Sequence, residues 1–370
     1  MHNSEILNVL QLINTDGVGP VTFYKLLQKY GSAEKALGEL SRQKDIFPRR
    51  NAEKELDQAQ HLGIELILYT DPRYPEKLKN LNDAPPILYA LGNIKLLNYP
   101  ISLAIVGARN ASIAGRKMAS RIAYDLTNSE VLVVSGMARG IDSAAHKGSL
   151  YAQNQQGATI AVLGTGVDKI YPEENKNLYQ QIKNQGLLIS EFPLGTTAQT
   201  SNFPRRNRIV SGLSKGTLVI EASLRSGSLI TAHQALDQGR DVYAVPGAPY
   251  DDRCAGCNKL LREGAILVEN AEDIASNFTF SPVEFTVRKS KNLETADLFD
   301  YSLDNQENNS DIARQDKYAV LLSLISEQGE DIDDIIRNLG LPTEEVLTMI
   351  VELELNNKII RLPCNRIARV

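Results

Sequence analysis

Over residues 4–62 apolar side chains recur three or four positions apart, at Ile6, Leu7, Leu10 and Ile13, which is the spacing of one helix face. Asp16-Gly17-Val18-Gly19-Pro20 interrupts the pattern, and a second periodic run resumes through Phe23, Leu26 and Leu27. A helix–Gly-x-Gly–helix unit either presents backbone N–H groups to a phosphate or serves as a tight turn between packed helices. The sequence leaves both open. Two short apolar runs, residues 64–69 and 87–91, flank proline-marked turns and predict strands that join this region to the next.

From residue 101 the texture changes to apolar runs of a few residues, each closed by Gly or Ser and followed by a helical pattern. The runs are residues 103–106, 131–134, 159–163, 187–189, 218–220 and 242–245. Between the first two, Ala119, Ile122, Ala123 and Leu126 form one helical stripe, with Arg116, Lys117 and Arg121 away from it. Unalternated strands alternating with amphipathic helices predict a buried parallel sheet with helices on both faces. The fold class is therefore α/β, a Rossmann-like doubly wound sheet. The predicted order is a helical domain at 1–63, the Rossmann-like domain at 64–277 and an acidic, polar linker at 278–315. A last unit at 316–370 has three helices and a small hairpin, the winged-helix pattern.

Composition narrows the classes. The 370 residues contain no apolar run of the ~18 that a membrane span needs. The first residues lack the basic and apolar stretches of a secretory signal, and three cysteines make no disulfide framework, so a cytoplasmic location is expected. The net charge is −5, yet residues 100–270 carry 18 Lys+Arg against 14 Asp+Glu. Residues 319–370 carry 5 against 9, so an anionic partner is expected to meet the middle of the chain.

The chemistry is expected at the strand ends, because open α/β sheets bind ligands outside the carboxyl ends of their strands. Gly107-Ala108-Arg109 closes the first run, with Ser112 and Gly115 beyond it, and Ser135-Gly136-Met137-Ala138-Arg139-Gly140-Ile141-Asp142 closes the second. Small residues allow close backbone approach, helix N-terminal amides favour an anion, and Arg109 and Arg139 add phosphate donors. Phe203-Pro204-Arg205-Arg206-Asn207-Arg208 sets arginines beside an aromatic ring, the combination that tracks a single strand. Ile209, Val210 and Leu213 place part of this segment on the sheet, which makes Arg208 the candidate structural arginine. Ser226, Gly227, Ser228 and Thr231 form a second candidate anion nest. No GxxxxGK[ST] occurs, and His2, His61, His146 and His233 form no triad or zinc pattern. Cys254-Ala255-Gly256-Cys257 lacks the further ligands that a structural zinc needs.

Taken together, Val106-Gly107-Ala108-Arg109, the Ser135–Asp142 stretch, Phe203-Pro204-Arg205-Arg206-Asn207-Arg208, Ser226-Gly227-Ser228-Leu229-Ile230-Thr231, Val245-Pro246-Gly247 and Tyr171-Pro172 resemble the signatures of the DNA-processing protein A (DprA/Smf) family. The likeness runs over about residues 64–270, with residues 1–63 similar to the family's small helical domain of the SAM or helix-hairpin-helix kind. Residues 316–370 resemble its winged-helix tail. The resemblance implies a cytosolic protein that binds single-stranded DNA and loads the RecA recombinase on it during natural transformation. It also implies a homodimer through the Rossmann-like domain and no catalysis; no membrane association, cofactor or metal is expected from the sequence. Carried over, Gly107, Arg109, Ser135, Gly136, Arg139, Gly140, Phe203, Arg205, Arg206 and Asn207 would line the DNA pocket. Two stretches depart from the family. Thr200-Ser201 stands where a lysine often precedes the arginines, and Cys254-Ala255-Gly256-Cys257-Asn258 stands for Ser-x-Gly-Thr-Asn.

The tail reads differently. Thr343 is placed to cap the third helix, and Glu344 and Glu345 in its first turn would repel phosphates from the end that enters a DNA groove. This predicts a protein-interaction module. A competing class is a Rossmann-like nucleoside-monophosphate phosphoribohydrolase, whose Pro-Gly-Gly-x-Gly-Thr-x-x-Glu motif is not found here. A scaffold that gathers partners through its terminal domains is compatible with the binding reading.

Overall fold

The computed structural model describes residues 2–152, 159–278, 314–326, 329–356, 358–362 and 365–369. The expected linker lies outside the described residues except at its ends. Four helices come first: α1 (His2–Asn14), α2 (Pro20–Tyr30), α3 (Ala33–Leu40) and α4 (Arg49–His61). Gly17, at φ +72°, makes the turn between α1 and α2, and Gly31 ends α2 in the left-handed region with its amide on the Leu27 carbonyl. The apolar stripe of α1 buries Leu10 and Leu12 completely, together with Phe23 and Ala36. This small core is continuous with β1 (Glu65–Leu68) and β2 (Ile87–Gly92), with α5 (Glu76–Lys79) between the two strands.

The main unit then alternates strand and helix: β3 (Ser102–Gly107), α6 (Ile113–Asn128), β4 (Leu132–Ser135), α7 (Ile141–Tyr151), β5 (Thr159–Val162), α8 (Lys176–Gln185) and β6 (Leu187–Ser190). It continues with α9 (Asn202–Gly212), β7 (Gly216–Ile220), α10 (Gly227–Asp237), β8 (Asp241–Ala244), α11 (Ala255–Arg262), β9 (Ile266–Leu267) and α12 (Ala271–Phe278). The nine-stranded sheet runs β1-β2-β6-β5-β4-β3-β7-β8-β9. Every neighbouring pair from β6 to β9 is parallel, and β2 joins β6 antiparallel, so the first hairpin extends the edge of the sheet. Val133, Val134, Ala161 and Leu218 are fully or almost fully buried, as strands covered on both faces must be. One face is filled by Ala119, Ile122 and Ala123 of α6 with Ala144 and Ala145 of α7, the other by Ile209 of α9, Leu229 and Ala232 of α10 and Leu260 of α11.

The last unit comprises α13 (Arg314–Leu324), β10 (Glu330–Asp331), α14 (Ile332–Leu339), α15 (Thr343–Leu355), β11 (Ile359–Leu362) and β12 (Arg366–Arg369). Its strands form a three-stranded sheet in the order β10-β12-β11, one strand more than the hairpin expected. Thr343 does not cap α15. Pro342 holds that position and Thr343 is already helical, because the proline fixes the extended entry to the helix. The domain rests on the start of α6, where Ile113 joins its core, Lys117 pairs with Asp334, and Arg116 donates to Asn338 at 2.9 Å. No helix among the described residues is long and apolar enough to cross a membrane.

Candidate nucleic-acid interface

The winding of the sheet reverses between β3 and β7, and this is where a doubly wound fold ordinarily opens a ligand crevice. Here the chain fills it. The carboxylate of Glu221, just past β7, accepts the Ser112 amide at 2.8 Å and the Ser112 hydroxyl, and so closes the N-terminus of α6. The open cavity, about 430 Å³, lies one strand over, above the ends of β4 and β5.

Its floor is built by Arg206. The side chain is buried, and Nη1 donates to the carbonyls of Gly136 and Val162, tying the ends of β4 and β5 together. A Cβ on Gly136 would lie 2.4 Å from this guanidinium, so any larger residue there would displace it. Burial lowers the Arg206 pKa to about 10, with Asp142 opposing that shift and Arg109 adding to it. Asp142 is buried beside it and accepts the amides of Gly136 at 3.1 Å and Ala138 at 3.3 Å. Burial raises its carboxyl above the usual range, and Arg206 and the two amides pull it back. The amides expected to cradle an anion after β4 are therefore engaged by the protein's own carboxylate.

The wall is aromatic and cationic. Phe203 opens the first turn of α9, and Gly164 makes room for it, since a Cβ there would come within 2.9 Å of the ring. The Arg109 guanidinium lies over the same ring, 5.1 Å from the centroid, and the exposed ring of Tyr171 stands 5.5 Å away on the cavity side. Arg139 is exposed at the rim and pairs with Glu174 at 3.6 Å. Arg109, Arg139 and Arg206 thus face one cavity, with Glu173 and Glu174 at its edge.

The other predicted residues are placed as follows. Ser135 is fully buried and donates to the Ile105 carbonyl at 2.6 Å, so its hydroxyl joins two strands and is turned from the cavity. Gly107 and Gly140 do not line the cavity but allow close backbone packing, since a Cβ would meet the Ile220 and Ala108 carbonyls respectively. Arg205 points away, toward the helical domain, with its guanidinium 5.2 Å from the Phe192 ring centroid. Arg208 is buried in ion pairs with Asp83 at 2.7 Å and Glu191 at 2.8 Å. Asn207 donates to the Gly227 carbonyl at 3.4 Å, which sets the Ser226–Ser228 loop beside α9 but outside the cavity. Within that loop Ser226 and Ser228 hydrogen-bond each other at 2.7 Å. Thr231 is buried in α10.

Tyr171 is the site residue that the motif spacing did not single out as a wall. An exposed tyrosine beside a proline, following a glycine-rich strand end, is the signal that could have found it. Cys254 precedes α11 without capping it, and burial pushes the Cys254 thiol up to about 11 and the Cys257 thiol up to about 12, so neither is a reactive thiolate. Among the described residues no cluster of His, Cys, Asp and Glu is arranged to hold a metal.

Comparison with known proteins places this geometry. Residues 65–279 match the family model for DNA recombination-mediator protein A, residues 3–57 that for a DprA-like N-terminal HHH domain, and residues 306–363 that for a DprA winged helix domain. The chain is 45% identical over 210 residues to the DNA processing protein DprA of Streptococcus pneumoniae, covering 57% of this chain and 73% of that one. It is 37% identical over 318 residues to Protein Smf of Escherichia coli, covering 86% and 80%. The X-ray structure of the S. pneumoniae protein superposes with a TM-score of 0.62 at 35% identity, over 77% of this chain and 99% of that one. A structure of DNA processing protein A from Helicobacter pylori, described for its single-stranded DNA binding mode, superposes with a TM-score of 0.52 at 29% identity, over 56% and 93%. On these matches the chain belongs to the DNA recombination-mediator protein A family, whose members carry the names DprA and Smf.

Proposed function

We propose that this protein binds single-stranded DNA in the cavity above β4 and β5, acting as a binding protein and not as an enzyme. The observation that carries the reading is the Arg109–Phe203–Tyr171 wall, a guanidinium on a ring with a second ring beside it at an open strand end. An unpaired base has a free face to stack on such a wall, at ~1–3 kcal/mol per base, while Arg109 and Arg139 take the flanking phosphates. Duplex DNA buries those faces and gains little from it. The relative in Helicobacter pylori is described as binding single-stranded DNA, which supports the same assignment here. Asp142 and Glu221, which follow β4 and β7, hold loop amides and a serine, which suits a binding surface better than a catalytic one.

The wider role proposed is loading of the RecA recombinase on incoming DNA during natural transformation, in the cytoplasm, by a homodimer formed through the sheet domain. The test is a salt titration of binding to single-stranded and duplex oligonucleotides, followed by RecA filament assembly on strand coated with single-strand-binding protein. Equal affinity for the two DNA forms would overturn the binding reading. Unchanged filament assembly would overturn the loading role alone.

A further inference from the structure

A second cleft, about 450 Å³, separates the Gly17–Pro20 turn of the helical domain from the loop that follows β6. Its walls include the apolar side chains of Val18, Pro86 and Phe192. At its base lies Glu191, whose side chain is 4% exposed. Oε2 of this carboxylate pairs with Arg208 at 2.8 Å and with Arg205 at 4.0 Å. Oε1 is buried with no hydrogen-bond partner among the described residues. A buried acceptor without a donor is costly, and a ligand that brings an N–H to it recovers that cost.

The mouth is cationic. Arg205 lines the cleft, and Lys44 hydrogen-bonds the Asp16 carbonyl at the turn. In the first turn of α2 the amides of Val21 and Thr22 precede any intrahelical acceptor, and they border the adjoining groove together with Gly19 and Arg205. Phe203 and Arg205 share the first turn of α9, so the main cavity and this cleft flank the same helix turn.

We propose that the cleft is a second nucleotide subsite, taking a base with an exocyclic amine against Glu191 and its phosphate between Arg205 and the first turn of α2. The inference rests on the single-strand reading above. It also absorbs the Gly-x-Gly turn, which that reading leaves unused. Cytosine brings an amine to the carboxylate, whereas thymine in the same pose brings a carbonyl oxygen against it.

The test uses the full chain and fluorescently labelled oligo(dC) and oligo(dT) of about 20 nucleotides, long enough to span both sites. Gly19→Phe plugs the mouth without strain, since φ there is −93° and a Cβ meets nothing within 4 Å. It is expected to weaken oligo(dC) about tenfold and bring the dC/dT ratio to parity. Glu191→Gln, checked for folding by its melting curve, keeps an acceptor for Arg208 and is expected to reduce the same ratio about tenfold. Arg109→Ala reports on the main cavity alone. Wild-type affinity and ratio in Gly19→Phe would overturn the subsite while Arg109→Ala still weakens binding. Absence of single-strand binding by the unmodified chain would overturn both readings.

Discussion

The guanidinium of Arg109, at the end of β3, lies over the ring of Phe203, at the start of α9, with 5.1 Å between its carbon and the ring centroid. Almost a hundred residues of chain separate the two, and the sheet brings them together because β3 and β5 run parallel on either side of β4. Arg109 is exposed, so its removal tests binding without testing the fold. Arg109→Ala is expected to lower the log–log salt slope of single-strand binding by about 0.7, weaken all sequences alike and leave the melting temperature unchanged. A salt titration beside a thermal melt reads both.

Phe203→Ala removes a stacking face and is expected to cost ~1–3 kcal/mol of binding, while Phe203→Trp retains it. Tyr171→Ala is expected to cost less alone. With the rings 5.5 Å apart, the double variant should depart from additivity in a mutant cycle measured by anisotropy.

Arg206 is expected to behave unlike its neighbours. Its guanidinium is buried against two strand-end carbonyls and offsets the buried Asp142. Arg206→Met should cost about 1–3 kcal/mol of folding stability, because it leaves the buried Gly136 and Val162 carbonyls without their donor. Denaturant titration of Arg206→Met beside Arg205→Met, whose guanidinium is exposed, shows the contrast.

His146 is fully buried in α7 and hydrogen-bonds Thr159 at 2.8 Å. Burial lowers its pKa from 6.5 to about 3, and nearby Arg206 adds to the shift. The folded protein therefore keeps it neutral while the unfolded chain protonates it below pH 6.5. It costs no stability above that pH and destabilises the fold as pH falls toward about 3, by about 1.4 kcal/mol per unit. In His146→Gln the acid-side stability slope should be shallower by one proton, as read from denaturant midpoints between pH 6 and pH 4.

The winged-helix domain docks on α6, and none of its described residues lines the cavity. A chain ending at Phe278 is expected to bind single-stranded oligonucleotides within about twofold of the full chain, as independent sites do. A larger loss would show that the domain takes part in gripping the strand.

Much of this molecule was legible in its sequence because helix and strand periodicity are local. The apolar runs at 103–106, 131–134 and 218–220 became β3, β4 and β7 within a residue or two at most ends, and the stripe of Ala119, Ile122 and Ala123 became the buried face of α6. The arginines at 205, 206 and 208 and the ring at 203 could be named as a group for the same reason. Their separate fates could not. Successive residues of a helix point about 100° apart, so which arginine turns to the strand ends, which to the helical domain and which into a buried ion pair depends on how α9 sits on the sheet. Strand order was equally out of reach, and it alone decides that Glu221 meets Ser112 and closes the usual crevice. Asp142 reads as an ordinary acid in the first turn of a helix until the loop folds back and gives it the amides of Gly136 and Ala138. Local spacing determined which segments are helix or strand and which residues carry charge or rings. The tertiary structure decided which of them share a cavity, because contacts between segments distant in sequence follow from sheet order and helix rotation, and neither leaves a periodic trace along the chain.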